Sequence, residues 1–277
     1  MRPWLRVFLI GLVLWVASVI VTAWTANSNL VPMVVLFGSF LVPVTFVTWA
    51  YGRARSPEVT VETMFGAFVI GGALGVLGAS LLESWLVQPS LLMYVVVGLI
   101  EEGVKLAALM FVSRRLIRRT TKDGLVLGAT VGFGFAALES AGYAFNSLFT
   151  SAGLSLSQLV ETEVLRGVLS PVGHGLWTAI VGGVLFSAGG RLKGRVVLAY
   201  LGVSLLHALW DSMNAIAIAI TLVLTGQVWQ FQLLRIGRVP GVTEAQVHVY
   251  TILEWAGLLV ISLAALLWLR SVSRSGR

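Results

Sequence analysis

The chain is punctuated by apolar runs of about 20 residues, each closed by a short polar connection. At 1.5 Å per residue, such a run matches the ~30 Å hydrocarbon core of a bilayer. Eight can be drawn, over 6–24, 31–51, 63–83, 91–113, 124–149, 164–188, 196–224 and 249–269. Lipid offers the backbone no hydrogen-bond partner, so a spanning chain must form a helical bundle or a closed barrel, and runs this long without alternation select helices. The expected fold class is all-α: a single integral membrane domain over 1–277 with about eight transmembrane helices. A hydrophobic content of 57% and a mean hydropathy of +0.92 agree with that.

An even number of spans puts both termini on one side. On that side fall Arg2, Arg6, Arg53, Arg55, Arg114, Arg115, Arg118, Arg119, Lys122, Arg191, Lys193, Arg195, Arg270, Arg274 and Arg277, against Arg166, Arg235 and Arg238 on the other. This asymmetry predicts cytoplasmic termini and explains the net charge of +7 as topological, with no nucleic-acid partner needed. The first run follows Arg2 and Arg6 as a signal peptide would, but it is long, contains Trp15 and Trp24, and lacks a clear small-x-small exit, so it reads as an anchor. The glycine series at 66–78, 128–134 and 182–183 reads as close helix packing. The connections 150–163 and 225–247 are the places to expect a gate.

No cysteine occurs, which removes thiolate metal sites and cysteine nucleophiles together. Against that background Glu101, Glu102, Lys105, Glu139, His174, His207 and Asp211 all fall inside expected spans. An ionisable group at mid-bilayer costs on the order of 3 kcal/mol or more, so such residues face a protein interior or a wet cavity and mark function. Lys105 lies one helical turn from both glutamates, His207 and Asp211 lie one turn apart, and Arg166, Ser170, His174 and Thr178 follow at four-residue steps. Counted from the basic ends of their spans, the groups lie roughly 16 to 24 Å deep, in one layer central to slightly extracytoplasmic.

Four carboxylates around one ammonium leave three charges to neutralise. Either protons do so, or a divalent cation such as zinc is held by some of Glu101, Glu102, Glu139, His174, His207 and Asp211. The lysine, already present as one positive charge, favours protons by a narrow margin. Peptide hydrolysis suits the set: Glu101 or Glu102 as base, Lys105 orienting the other, Glu139 placing water or acting as acid, and His207 oriented by Asp211 donating to an oxyanion. No Gly-x-Ser-x-Gly signature surrounds Ser170, so a serine nucleophile fits poorly. A proton-coupled transporter also places such groups at mid-membrane, but would carry structural repeats, and none is evident. A non-catalytic membrane binding protein would tolerate isosteric changes at the glutamate pair.

Glu101-Glu102-Gly103-Val104-Lys105 spells EExxK, Phe135 to Glu139 spells FxxxE, and His207 to Asp211 spells HxxxD. In this order across spans four to seven, about 91–224, the sequence resembles the PrsW family of intramembrane proteases, within the larger superfamily of CAAX prenyl endopeptidases. The segment around His174 is similar to a histidine segment of that family. Glu139 stands where the CAAX relatives have a histidine, so roles do not transfer from them directly. The resemblance implies a catalytic core over 91–224 and a bacterial cytoplasmic membrane as the setting. It also implies membrane-anchored protein substrates, cut near their extracytoplasmic side, as in site-1 cleavage of anti-sigma factors.

Overall fold

The structure is a computed structural model that describes residues 1–53, 56–90 and 92–275; Arg55 and Arg277 of the basic ends lie outside them. Apart from a two-residue β-ladder, the regular structure is helical. Seven helices are long and apolar enough to cross a membrane: Pro3–Thr25, Ser28–Tyr51, Val61–Leu86, Thr121–Ser147, Leu156–Ser187, Gly194–Thr225 and Glu244–Arg274. The remaining expected run forms a continuous helix, Met93–Ser113, but Glu101, Glu102 and Lys105, three charges within five residues, set it apart from the other seven. The expectation of eight apolar spans therefore becomes seven plus one charged helix.

In chain order the helices are α1 (Pro3–Thr25), α2 (Val31–Tyr51), α3 (Val61–Gly66) running through a π-helical turn into α4 (Gly72–Leu86), α5 (Met93–Ser113) and α6 (Thr121–Ser147). A small hairpin of β1 (Phe149–Thr150) and β2 (Gly153–Leu154) follows, then α7 (Leu156–Leu169), α8 (His174–Ser187), α9 (Gly194–Thr225), α10 (Val228–Arg235) and α11 (Glu244–Ser275). Local chemistry sets several boundaries. Thr120 and Asp123 form a reciprocal capping box at the start of α6. Ser155 accepts from the Gln158 amide and starts α7 about eight residues before the expected span, so most of the expected 150–163 loop is helix.

The sixth expected span is not one straight helix. Pro171 has no amide hydrogen to continue the ladder, Ser170–Val172 tightens into a 3-10 turn, and Gly173 leaves the helical region before α8 begins at His174. Arg166 and His174 therefore sit on two half-helices rather than on one face. The other expected gate, 225–247, is pinned by a buried reciprocal pair: Gln230 donates to Gln246 at 3.0 Å and Gln246 to Gln230 at 2.9 Å.

α6 is the central helix, and its contact with α8 is close because it is made of glycine. A Cβ on Gly124, Gly128 or Gly132 would stand 2.2, 2.3 or 2.3 Å from the carbonyl oxygens of Gly182, Thr178 and His174 respectively. Four-residue spacing on both helices keeps these three contacts in register and delivers His174 to the face of α6 that carries Glu139. Gly98 does the same between α5 and α9, where a Cβ would meet the Ser204 carbonyl at 2.5 Å, one turn from His207. Packing in lipid relies on such close approach, since apolar burial alone gains little there. Gly128→Val is accordingly expected to lower stability by about 3 kcal/mol in detergent–SDS unfolding. Gly142→Ala, on the same helix with nothing within 4 Å, should keep or slightly raise it.

Candidate active site

The site is built outward from Lys105, which has no exposed surface. Its ammonium lies 2.7 Å from Glu102 Oε1, 3.3 Å from Glu101 Oε2 and 2.8 Å from His174 Nδ1, with the Phe135 ring 4.2 Å away. Three donor hydrogens thus meet three acceptors, which a buried ammonium requires. Both EExxK contacts expected from helical spacing are present. The reach across to His174 on α8 is a contact that spacing along α5 could not reveal.

Each histidine turns one ring nitrogen inward and the other to a carboxylate of its own. His207 Nδ1 lies 3.1 Å from Glu102, and His174 Nε2 lies 3.0 Å from Glu139. Because His174 Nδ1 accepts from Lys105, its proton belongs on Nε2, donated to Glu139. Likewise His207 donates from Nδ1 to Glu102 and presents Nε2 to Glu101 Oε2 at 3.7 Å and Asp211 Oδ2 at 3.2 Å. That nitrogen faces two carboxylate oxygens, which a proton on Nε2 donated to Asp211, or a bound cation, would satisfy. Nδ1 of His174 completes the ring, 3.9 Å from the same Glu101 oxygen.

Glu101, His174 and His207 offer ligand atoms all within 4.8 Å of one another. Bonds of about 2.0 to 2.1 Å in a tetrahedral site separate ligand atoms by about 3.3 to 3.5 Å, so zinc would draw this group inward from separations of 3.7 and 3.9 Å to Glu101 and of up to 4.8 Å overall. Glu102 and Glu139 then stand as the outer carboxylates that fix the tautomer and orientation of each imidazole. Lys105 already has Glu102 to hold it when His174 Nδ1 turns to a metal.

A cavity of about 380 Å³ opens onto one side of this cluster. Glu101, Glu139, His174 and Asp211 line it, whereas Glu102, Lys105 and His207 lie behind its wall. Enclosure of Glu102 leaves Glu101 and Glu139 as the glutamates of the expected set that a water in the cavity could meet. His207, equally buried, does not line the cavity itself. Ser170 lines the cavity too, but its Oγ has no hydrogen-bond partner, in keeping with the absence of a serine nucleophile motif.

Two lining residues were not expected in the site. Arg166, placed by sequence only in a four-residue series with His174, forms an ion pair with Glu139, donates to Ser140 Oγ at 2.8 Å and stacks over Tyr143 at 4.3 Å. Its eight-residue separation from His174, about two helical turns, is the signal that pointed here. Glu83 lines the cavity from the end of α4, at the last position of the expected span 63–83.

Buried imidazoles and a carboxylate beside a polar cavity, inside a bundle of long apolar helices, define the class: an intramembrane hydrolase equipped to hold a metal. The chain belongs to the PrsW family of intramembrane metalloproteases, whose family model matches residues 58–236. It is also similar to the protease PrsW of Halalkalibacterium halodurans, 26% identical over 167 residues that make up 59% of this chain and 73% of that protein. No solved structure matches. The family's description and the Glu101, His174 and His207 group fit the metal alternative left open by the charge count.

The enclosure of Lys105 generates a prediction about stability. Lys105→Met leaves two buried carboxylates without their counter-charge and should cost about 3 to 5 kcal/mol in detergent–SDS unfolding. Adding Glu102→Gln should recover a large part of that loss, because it removes the carboxylate nearest the missing ammonium.

Proposed function

We propose that this protein hydrolyses a peptide bond of membrane-anchored proteins near their extracytoplasmic side, as in site-1 cleavage of an anti-sigma factor. One observation carries the reading: the two histidines converge on Glu101 at the wall of a polar cavity, each backed by its own glutamate. In this reading the catalytic core is 91–224, α5 crosses the bilayer as an eighth span, and both termini face the cytoplasm of a bacterial cell. The basic asymmetry of the connections supports that orientation.

Glu101, His174 and His207 would hold the divalent ion, zinc being the best fit to two imidazoles and a carboxylate, and when bound it supplies Lewis acidity and an acidified water. Glu102 and Lys105 keep His207 and Glu101 oriented. Glu139, open to the cavity, takes the proton of the attacking water and returns it to the leaving amine, with Arg166 keeping it ionised between turnovers. Asp211, beside His207 and facing the cavity, positions the water or the substrate amide.

Co-expression with a panel of tagged single-span membrane proteins tests the activity. Glu101→Gln, Glu139→Gln, His174→Ala and His207→Ala should each lower cleavage by at least about 100-fold while remaining folded and inserted. Cleavage at the wild-type rate would move the site elsewhere. Elemental analysis should find about one metal per chain, lost in His174→Ala and His207→Ala, and affinity should fall as pH falls because the ligands bind deprotonated. Orientation is tested with single cysteines in this cysteine-free chain: an impermeant reagent should label position 155 in intact cells, and position 118 only after permeabilisation.

A further inference from the structure

One ionisable cluster lies outside the site. Glu163 on α7 is almost fully enclosed, its side chain wedged between α1 and α2. Trp15 Nε1 donates to one carboxylate oxygen at 2.7 Å, and Ser39 Oγ reaches the other at 3.5 Å. Room for the carboxylate exists because residue 38 is glycine: a Cβ there would stand 2.2 Å from Glu163 Cδ. Among the described residues no cation lies within ion-pair distance of Glu163. An enclosed carboxyl group without a cation costs several kcal/mol unless its oxygens are hydrogen-bonded, which makes the contacts with Trp15 and Ser39 a strong constraint on α7.

The place of Glu163 in the chain supplies that role. Arg166 lies one turn further along α7 and pairs with Glu139, which receives the Nε2 proton of His174. α7 meets α8 through the turn at Ser170–Gly173, where Pro171 and the non-helical Gly173 interrupt the helical ladder. Something besides its own backbone must therefore fix where Arg166 stands. α1 and α2, which grip Glu163, also lie outside the 58–236 region matched by the family model.

We propose that Glu163 is a positioning residue: through its hydrogen bonds to Trp15 and Ser39, the α1–α2 hairpin holds α7 so that Arg166 keeps Glu139 and His174 in their working geometry. The link to catalysis rests on the proteolytic reading above; the placement of α7 does not. Because the contact is a hydrogen bond to a carboxyl oxygen, Gln at 163 can reproduce it and Leu cannot. A misplacement of about 1 Å at a catalytic group can cost on the order of 100-fold in rate, so a partial release of α7 should cost about tenfold.

The test uses full-length protein in nanodiscs, spin-labelled at cysteines replacing the exposed residues Val168 on α7 and Leu36 on α2. Glu163→Leu and Trp15→Phe should each shift or broaden the label-to-label distance distribution, the double variant no further than Glu163→Leu alone, while Glu163→Gln keeps the wild-type distribution. On a single-span reporter cleaved by the wild type, Glu163→Leu should lower kcat about tenfold with KM little changed, and Glu163→Gln should restore it. An unaltered distance distribution in Glu163→Leu, strictly additive effects of the two single changes, or an unaltered kcat despite a displaced α7 would each overturn the proposal. If the wild type cleaves no reporter, the proteolytic reading fails while the distance measurement still decides where α7 is held.

Discussion

A lysine ammonium with no access to solvent holds the centre of this protein. In hydrocarbon nothing but protein can compensate such a charge, and Lys105 is satisfied by two glutamates of its own helix and an imidazole from α8. That demand fixes the mutual placement of α5 and α8. Since Glu102 is shared with His207, it also fixes α9. The glycine contacts of α6 against α8 and of α5 against α9 are the packing counterpart, allowing backbones close enough for these short side chains to meet.

The same interaction divides the cluster into an enclosed part and an open part. Glu102, Lys105 and His207 form a rigid rear wall, while Glu101, Glu139, His174 and Asp211 face the cavity. A site needs both: ligands and orienting groups that do not move, and groups that can exchange protons with a reactant. Arg166 joins the open part from α7, across the helix break at Ser170–Gly173.

Much of this was legible in the sequence because the signals were local. Apolar run length gave the helices, four-residue spacing gave the contacts of Lys105 with its glutamates and of His207 with Asp211, and the glycine series gave the close packing. Other features depend on contacts between helices and have no periodicity to betray them. The reach of Lys105 to His174, the pairing of Arg166 with Glu139, and the burial of Glu163 against Trp15 each join residues more than 20 positions apart. The break at Gly173 was misread for a different reason: Ser-Pro-Val-Gly sits inside an apolar stretch long enough to span, and hydropathy outweighed the proline signal. Counting charges alone could not show which nitrogen faces which carboxylate, and so could not reveal that Glu101, His174 and His207 lie close enough together to fit a metal.

The central claim is that Glu101, His174 and His207 jointly bind a divalent ion inside the membrane. X-ray absorption at the zinc edge of purified, zinc-loaded protein tests it most directly. Two imidazole nitrogens and a carboxylate oxygen at about 2.0 to 2.1 Å, with one imidazole lost in His207→Ala, is the result this account predicts. Protein that takes up no zinc, or a spectrum with an oxygen-only shell unchanged by His207→Ala, would contradict it.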